Sequence, residues 1–471
     1  MTGAGLAGAS LFGIAGCGQE SGTQGSAGGD VWKQFSGTTI QFISENTAPT
    51  SAIAANLRPF KEKTGINVQI SQLELGELVQ KVALDFGSGE GRYHVIYADP
   101  YQVLAPYYQG LANLNDFNED DNFPSVPKGL QDFIPTQLAA SGRFENDEDL
   151  LALPYDCPTM IWMYRKDLFE KYSDQMSQTL GFDPTPSDSV TWEQYYQIAE
   201  WFNDNAKQDV ASGTGQMAKQ YDSLMADFSD VLWAYGGNYF ENGEQLGNLG
   251  SEDPGPSILD QPEAIEAATF YKKLVDIANP GSTTWDWTGV ADAFKAGELA
   301  MMPDFHEFAA SLEAPDSKVA GKVGYAPLPT GPARSANIWG GTGIGINSGA
   351  EEDKQGAAWL FLVWATSPEI QRMGLFSEEG GGTPTRQSVY DMPEVQEATK
   401  PPSKAPNMLT YDAVSKAWDP GNIGLRPKIP SWNECDTTIY TELSKMLAGD
   451  KSPEQAMRDA KQGFDKATGA A

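Results

Sequence analysis

An α/β fold organised on a parallel sheet is predicted by the alternation of strand and helix signals where the globular sequence begins. Thr39-Ile40-Gln41-Phe42-Ile43-Ser44 alternates at the period of a strand. Ile53, Leu57 and Phe60 then share one face of a helix that Thr64-Gly65 terminates as a C-cap. A strand at 66–70, a helix through Leu75, Leu78, Val79 and Val82, and a buried strand at 93–97 ending at Asp99 complete a β-α-β-α-β series. Helical spacing of apolar residues recurs at 192–203, 222–235, 262–277, 290–296, 352–365, 437–447 and 453–467. A chain of 471 residues leaves room for two or three domains with substantial cores, and no internal repeat is evident.

The sequence ahead of this unit has a different character. A short apolar and small-residue stretch ends in Ile14-Ala15-Gly16-Cys17, which is similar to a lipobox: small residues fit the signal peptidase and the thiol accepts a lipid. The Gly/Ser/Gln tract that follows is too poor in apolar side chains to fold. Residues 1–17 are therefore expected to be a signal and lipidation segment, and 18–37 a tether holding the protein outside the cell membrane. No Lys or Arg precedes Cys17, although a secretory signal carries a basic n-region, so a start upstream of Met1 is expected. Gly3, Gly5 and Gly8 match G-x-G-x-x-G without the flanking strand and helix a dinucleotide site needs.

The 64 acidic against 32 basic residues give a formal charge of −32, which repels nucleic acid and anionic membranes. Molar salt shortens the Debye length to about 3 Å and removes most of the self-repulsion, so the composition points to salt adaptation. Asp116, Asn118 and Asp120 alternate as in a calcium loop, but the sixth position is Asp121 and the twelfth Pro127, so no EF-hand is expected. Cys157 and Cys435 either pair or remain buried thiols. No apolar run after Cys17 is long enough to span a membrane.

Phe60-Lys61-Glu62-Lys63-Thr64-Gly65-Ile66-Asn67-Val68 resembles the first helix-to-strand passage of family 1 extracellular solute-binding proteins, the carbohydrate-capturing subunits of ABC importers. Further matches follow in order: Tyr93-His94-Val95-Ile96-Tyr97-Ala98-Asp99, Gly110-Leu111-Ala112-Asn113-Leu114, Leu153-Pro154-Tyr155, Tyr164-Arg165-Lys166-Asp167-Leu168-Phe169, Phe294-Lys295-Ala296-Gly297-Glu298 and Trp339-Gly340-Gly341-Thr342-Gly343-Ile344-Gly345-Ile346. The resemblance implies a type II periplasmic binding protein fold: two α/β lobes joined by a hinge, with ligand captured between them. By resemblance, 38–154 plus 343–390 form lobe one and 155–342 plus 391–471 form lobe two. It implies a monomer that delivers a disaccharide or oligosaccharide to permease subunits, with no cofactor and no metal.

A neutral sugar presents hydroxyls that need donors and acceptors, and C–H faces that stack on aromatic rings. By resemblance the lobe-one contacts are Glu45-Asn46 and Asp99, with Tyr101 nearby, and the C-terminal ends of parallel strands give the same positions. Asp99 either caps a helix or meets ligand, and ligand is favoured. Further candidates are Asp156 near a crossover, Trp233 before Gly236-Gly237, Trp285 in Trp285-Asp286-Trp287, and Asp304 and His306 around Phe305. Trp339 and Gly340 offer a ring and open backbone, and Arg386 in Gly382-Thr383-Pro384-Thr385-Arg386 a donor. Trp432 is either a cleft edge or core.

Two rival readings remain. An exported glycoside hydrolase needs paired carboxylates, which 64 acids supply by chance, and neither a G-x-S-x-G elbow nor a histidine cluster is present. The same fold binding a polyamine or another small solute would suit the acid-rich chain.

Overall fold

The computed structural model describes residues 30–470. Its strands are β1 (Thr39–Glu45), β2 (Asn67–Leu73), β3 (Val95–Ala98), β4 (Ala152–Asp156), β5 (Met160–Arg165), β6 (Ser212–Thr214), β7 (Leu299–Phe305), β8 (Val323–Ala326), β9 (Asn337–Ile338), β10 (Thr342–Ile346) and β11 (Ile423–Gly424). The first sheet has the order β2-β1-β3-β10-β4. Within it β1 runs parallel to β2 and β3, and β10 lies antiparallel between β3 and β4. Ile40, Phe42, Ile344 and Ile346 share one face of this sheet, where Phe42 meets Phe361 of the helix Glu352–Ala365 with ring centroids 5.6 Å apart. That helix is apolar around its circumference from Gly356 to Ala365 and is buried throughout that stretch, as such a sequence requires.

The single helix expected through Ile53, Leu57 and Phe60 is two helices, Ala48–Ala55 and Arg58–Thr64. Pro59 explains the break. It lacks an N–H and is tolerated in the first turn of a helix but not in the middle of one. Gly65, at φ 75°, then closes the second helix as expected.

The second sheet has the order β6-β7-β5-β8, with β5 antiparallel to both neighbours. Around it pack the helices Trp192–Asn205, Asp222–Ala234, Pro262–Ile277, Trp432–Leu447 and Pro453–Thr468. Every residue of Asp222–Ala234 is buried. Its interior carboxyls accept hydrogen bonds: Asp227 from Met217 N–H (3.1 Å) and the Tyr271 hydroxyl (2.9 Å), and Asp230 Oδ1 from Ile338 N–H (2.6 Å). A small third core gathers Leu375, Val389, Tyr390, Val395 and Met408. Its residues come from both sides of position 390.

Two short segments join the sheets. Cys157-Pro158-Thr159 leads from β4 to β5, and Trp339-Gly340-Gly341 leads from β9 back to β10. They run side by side: Gly340 N–H donates to Pro158 O (2.8 Å) and the Thr159 hydroxyl to Ile338 O (2.8 Å). A Cβ at Gly340 would lie 2.7 Å from the Phe305 ring, and one at Gly341 1.9 Å from the Trp339 ring. These glycines therefore serve close approach rather than a left-handed backbone. Cys157 and Cys435 are both buried free thiols. Cys17, its proposed lipid and most of the tether lie outside the described residues. Among the described residues no helix is long and apolar enough to cross a membrane.

Candidate functional site

A cavity of about 370 Å³ lies where the two sheets face each other. From the first sheet, the ends of β1, β3 and β4 bring Glu45, Asn46, Tyr97, Asp99 and Asp156 to its wall. The second sheet and its helices contribute Asp222, Trp287, Phe305, Glu307, Phe308 and Arg426. Trp287 and Phe305 meet edge to face at 6.4 Å, and Tyr221 packs on the far side of Trp287 at 5.4 Å. The first wall is thus polar and acidic, and the second combines three aromatic rings with Asp222, Glu307 and Arg426.

Asp99 does two things. Its Oδ1 accepts the N–H groups of Tyr101 (2.9 Å) and Gln102 (2.7 Å), capping the helical turn that follows β3, while the residue lines the cavity. Its Oδ2 lies 3.9 Å from Arg426, whose other arm is 3.9 Å from Asp222 Oδ1. The Arg426 guanidinium sits 4.1 Å over the Tyr101 ring. Gln102 Nε2 donates to Asp222 Oδ1 (3.0 Å), so this cluster ties the loop after β3 to the opposite lobe. Burial pushes Asp222 and the adjoining Asp436 carboxyl upward, with Arg426 opposing. Glu45 is raised to about 8 by burial and by the neighbouring Asp99 charge, against a hydrogen bond from Tyr97.

A second cluster forms beside the crossovers. Thr383 N–H donates to Asp156 Oδ1 (2.7 Å), and the Thr383 hydroxyl donates to Glu307 Oε1. His306 Nδ1 lies 3.1 Å from Thr159 N and 3.2 Å from Thr159 O, and its Nε2 lies 2.9 Å from Thr383 Oγ1. Burial pushes His306 down to about 4, so its ring is neutral here.

Of the residues expected from sequence, the cavity collects Glu45, Asn46, Asp99, Asp156 and Gly340. The others lie elsewhere. Tyr101 is buried beneath Arg426 and supports it. Trp233 is core, packed on Tyr239 and against Gly424. Trp285 wedges against the backbone of Gly281, Gly289 and Gly215. The cap formed by Asp286 on Gly289 N–H (3.1 Å) starts a helix at Trp287, and it is Trp287, two residues on, that lines the cavity. Asp304 is wholly buried, its Oδ1 accepting Phe305 N–H (2.8 Å) and its carboxyl pushed well up by burial. His306 acts on the cleft only through Thr383. Trp339 and Trp432 are fully buried. Arg386 is likewise buried, its Nε donating to Thr366 O and its Nη1 to Pro127 O (2.9 Å) and pairing with Asp132 at 3.3 Å, so it faces the protein interior rather than the cleft.

Sequence reasoning missed Asp222, Glu307, Phe308 and Arg426. Asp222 opens an expected helix and Glu307 adjoins an expected contact, so local signals existed for both. Arg426 stands in a Gly/Pro-rich stretch without helix or strand periodicity, and no local signal marks it.

The sequence profile of the bacterial extracellular solute-binding protein family matches residues 43–372. A probable amino-acid ABC transporter periplasmic-binding protein, y4oP of Sinorhizobium fredii, is 26% identical over 433 residues, 91% of this chain and 88% of that protein. The erythritol/L-threitol-binding protein of Mycolicibacterium smegmatis is 23% identical over 418 residues, 82% of this chain and 80% of that one. Among solved structures, a solute-binding protein of Agrobacterium radiobacter in complex with ribitol superposes with a TM-score of 0.75 at 24% identity, covering 92% of this chain and 100% of that one. Maltose-bound MalE3 of T. maritima gives 0.74 at 23% identity, covering 91% and 99%. The fold is therefore the two-lobe architecture of periplasmic binding proteins. The chain belongs to the bacterial extracellular solute-binding protein family.

Proposed function

We propose that the cleft captures a neutral polyhydroxylated solute, a sugar or sugar alcohol, and that closure of the lobes presents it to a membrane permease. The observation that carries this reading is the pairing of two unlike walls. Trp287, Phe305 and Phe308 offer faces for C–H stacking, opposite the hydroxyl-binding groups Glu45, Asn46, Asp99 and Asp156. The sequence led to a disaccharide or oligosaccharide. A cavity of about 370 Å³, near the lower end of small-ligand sites at roughly 300–1,000 Å³, favours a monosaccharide, disaccharide or polyol. The relatives named for erythritol and mannitol, and the neighbours solved with ribitol and maltose, span that range.

A cationic solute such as a polyamine is the second reading. The cavity is lined by Glu45, Asp99, Asp156, Asp222, Glu307 and Glu379, against Arg426 as its basic residue. Calorimetry of residues 30–471 against mono- and disaccharides, mannitol and spermidine, at low and molar salt, separates the two. Sugar or polyol binding that survives molar salt supports the carbohydrate reading. Spermidine binding that weakens with salt, with no heat from any sugar, replaces it.

The acid-rich surface is read as salt adaptation, and the protein as a monomer attached through a lipid on Cys17 to the outer face of the cell membrane by the Gly/Ser tether. Mass spectrometry of the native amino terminus tests the lipid.

A further inference from the structure

Asp156 and Glu307 meet at one residue. Thr383 donates its N–H to the first (2.7 Å) and its hydroxyl to the second, and both carboxyls line the cleft. Asp156 ends β4 in the first sheet, whereas Glu307 follows β7 in the second. Among the described residues neither is ion-paired to a Lys or Arg, although ion pairs are recorded across the rest of the protein. Two carboxyls that meet each other, Asp156 buried and Glu307 half-buried, with no cation beside them, resist ionising together.

Thr383 spends its N–H on Asp156 Oδ1, and its hydroxyl meets both Glu307 Oε1 and His306 Nε2, while His306 Nδ1 faces the N–H and the carbonyl of Thr159. None of these bonds reaches the contact between the two acids, so the proton there belongs to the acids themselves.

We propose that Asp156 and Glu307 share one proton and form a donor–acceptor pair, straddling the two lobes, that binds a hydroxyl of the solute, with His306 and Thr383 as positioning residues. A hydroxyl both donates and accepts, and a half-protonated acid pair answers both needs at one point. The ligand role rests on the carbohydrate reading above; the shared proton does not.

The surrounding titratable groups leave the pair free to govern this corner of the cleft. Tyr97 from β3, Tyr155 and Cys157 on and beside β4, and Tyr390 from the helix Gln387–Tyr390 are all pushed up by burial and stay neutral at ordinary pH. His306 is pushed down to about 4. Burial raises Asp156 to about 6, and burial together with Asp156 raises Glu307 further. Glu379 lines the same cavity from the loop before Thr383. Glu45, on the cleft's other side at about 8, and Asp222, raised by burial, titrate in the same cavity, and Asp227 in the buried helix behind it is raised to about 7.

Carboxyl-carbon NMR of the ligand-free protein, titrated from about pH 5 to about pH 9, reads the proton directly. One acid of the pair is expected to ionise only at the alkaline end, and in Asp156→Asn the Glu307 step should move to lower pH. Two carboxyls already ionised at neutral pH would overturn the proposal. Calorimetry with D-mannitol and maltose reads the ligand role. Affinity should fall about tenfold per pH unit above the pair's step, and this dependence should shrink in both Asp156→Asn and Glu307→Gln while the Glu45 limb persists. Affinity that keeps its full pH dependence in both folded variants would overturn the ligand role. A shared proton with no heat from either probe supports the pair and rejects the carbohydrate reading instead.

Discussion

The first-lobe wall of the cleft carries its polar groups on the C-terminal ends of strands: Glu45 ends β1, Asp99 follows β3 and Asp156 ends β4. The second-lobe wall is assembled from the start of a buried helix (Asp222), the first residue of another (Trp287), a turn after β7 (Glu307) and a loop far along the chain (Arg426). A strand end in an open α/β sheet faces the ligand crevice whatever its sequence. A helix start or loop faces it only because of how the whole lobe packs. Changes to the strand-end groups and to the half-buried ring of Trp287 should therefore be felt mainly in binding, whereas changes to Arg426 and Asp222, which tie the second lobe to the loop after β3, should disturb fold and binding together.

The largest effect should come from Arg426. Arg426→Met leaves the Asp99 and Asp222 carboxyls without their shared cation, and breaking a buried pair in this way costs about 3–5 kcal/mol. Denaturant unfolding should register the loss and calorimetry a parallel drop in affinity. Lys428, two residues on, gives the contrast. Its ammonium donates to Ala139 O (3.0 Å), Ala140 O (2.9 Å) and Arg143 O (2.6 Å) at the C-terminal end of the helix Pro135–Gly142. Lys428→Met should lower stability and leave the affinity of the folded protein unchanged.

Trp285 and Trp287 sharpen the comparison within a single turn. Trp287→Ala should weaken sugar binding at least tenfold, about 1.4 kcal/mol, with little loss of fold. Trp285→Ala should lower the unfolding midpoint with affinity nearly kept; equal effects of the two on affinity would erase the distinction. Asp99→Ala comes next, losing a cap worth about 1 kcal/mol as well as a cleft carboxylate. Asp99→Asn should preserve more of the cap than of the affinity.

Glu45 supplies the smallest and most specific test. Its folded pKa of about 8 lies above the ordinary 4.5. Between those values the folded state holds a proton that the unfolded state has released, so this group's stabilising contribution is complete below about 4.5 and declines as pH rises towards about 8. Unfolding measured across that window should therefore show a slope that Glu45→Gln flattens.

How much of this was legible in the sequence follows the same division. The opening β-α-β-α-β series could be placed because period-2 and period-3.6 patterns are local, and the break missed in it, at Pro59, left a visible residue unread, whereas β4, β10 and the helix Pro135–Gly142 were not placed. Glu45, Asn46 and Asp99 were found because strand ends announce themselves, and Asp156 through the resemblance near a crossover. Arg386 and Asp304 misled because a charged side chain next to a turn reads as exposed until its buried partners are known. Trp285 was favoured over Trp287 because two tryptophans flanking an aspartate look alike until the Asp286 cap fixes which one the helix turns inward. Arg426 depends on contacts with residues more than 200 positions away and had no local signature.

Hydrogen exchange with and without saturating sugar tests the two-wall site most directly. Protection is predicted at once in the segments around Glu45 and Asp99 and in those around Asp222, Trp287 and Arg426. Protection confined to one lobe, or centred on the separate groove lined by Tyr107, Tyr108 and Glu252, would contradict it.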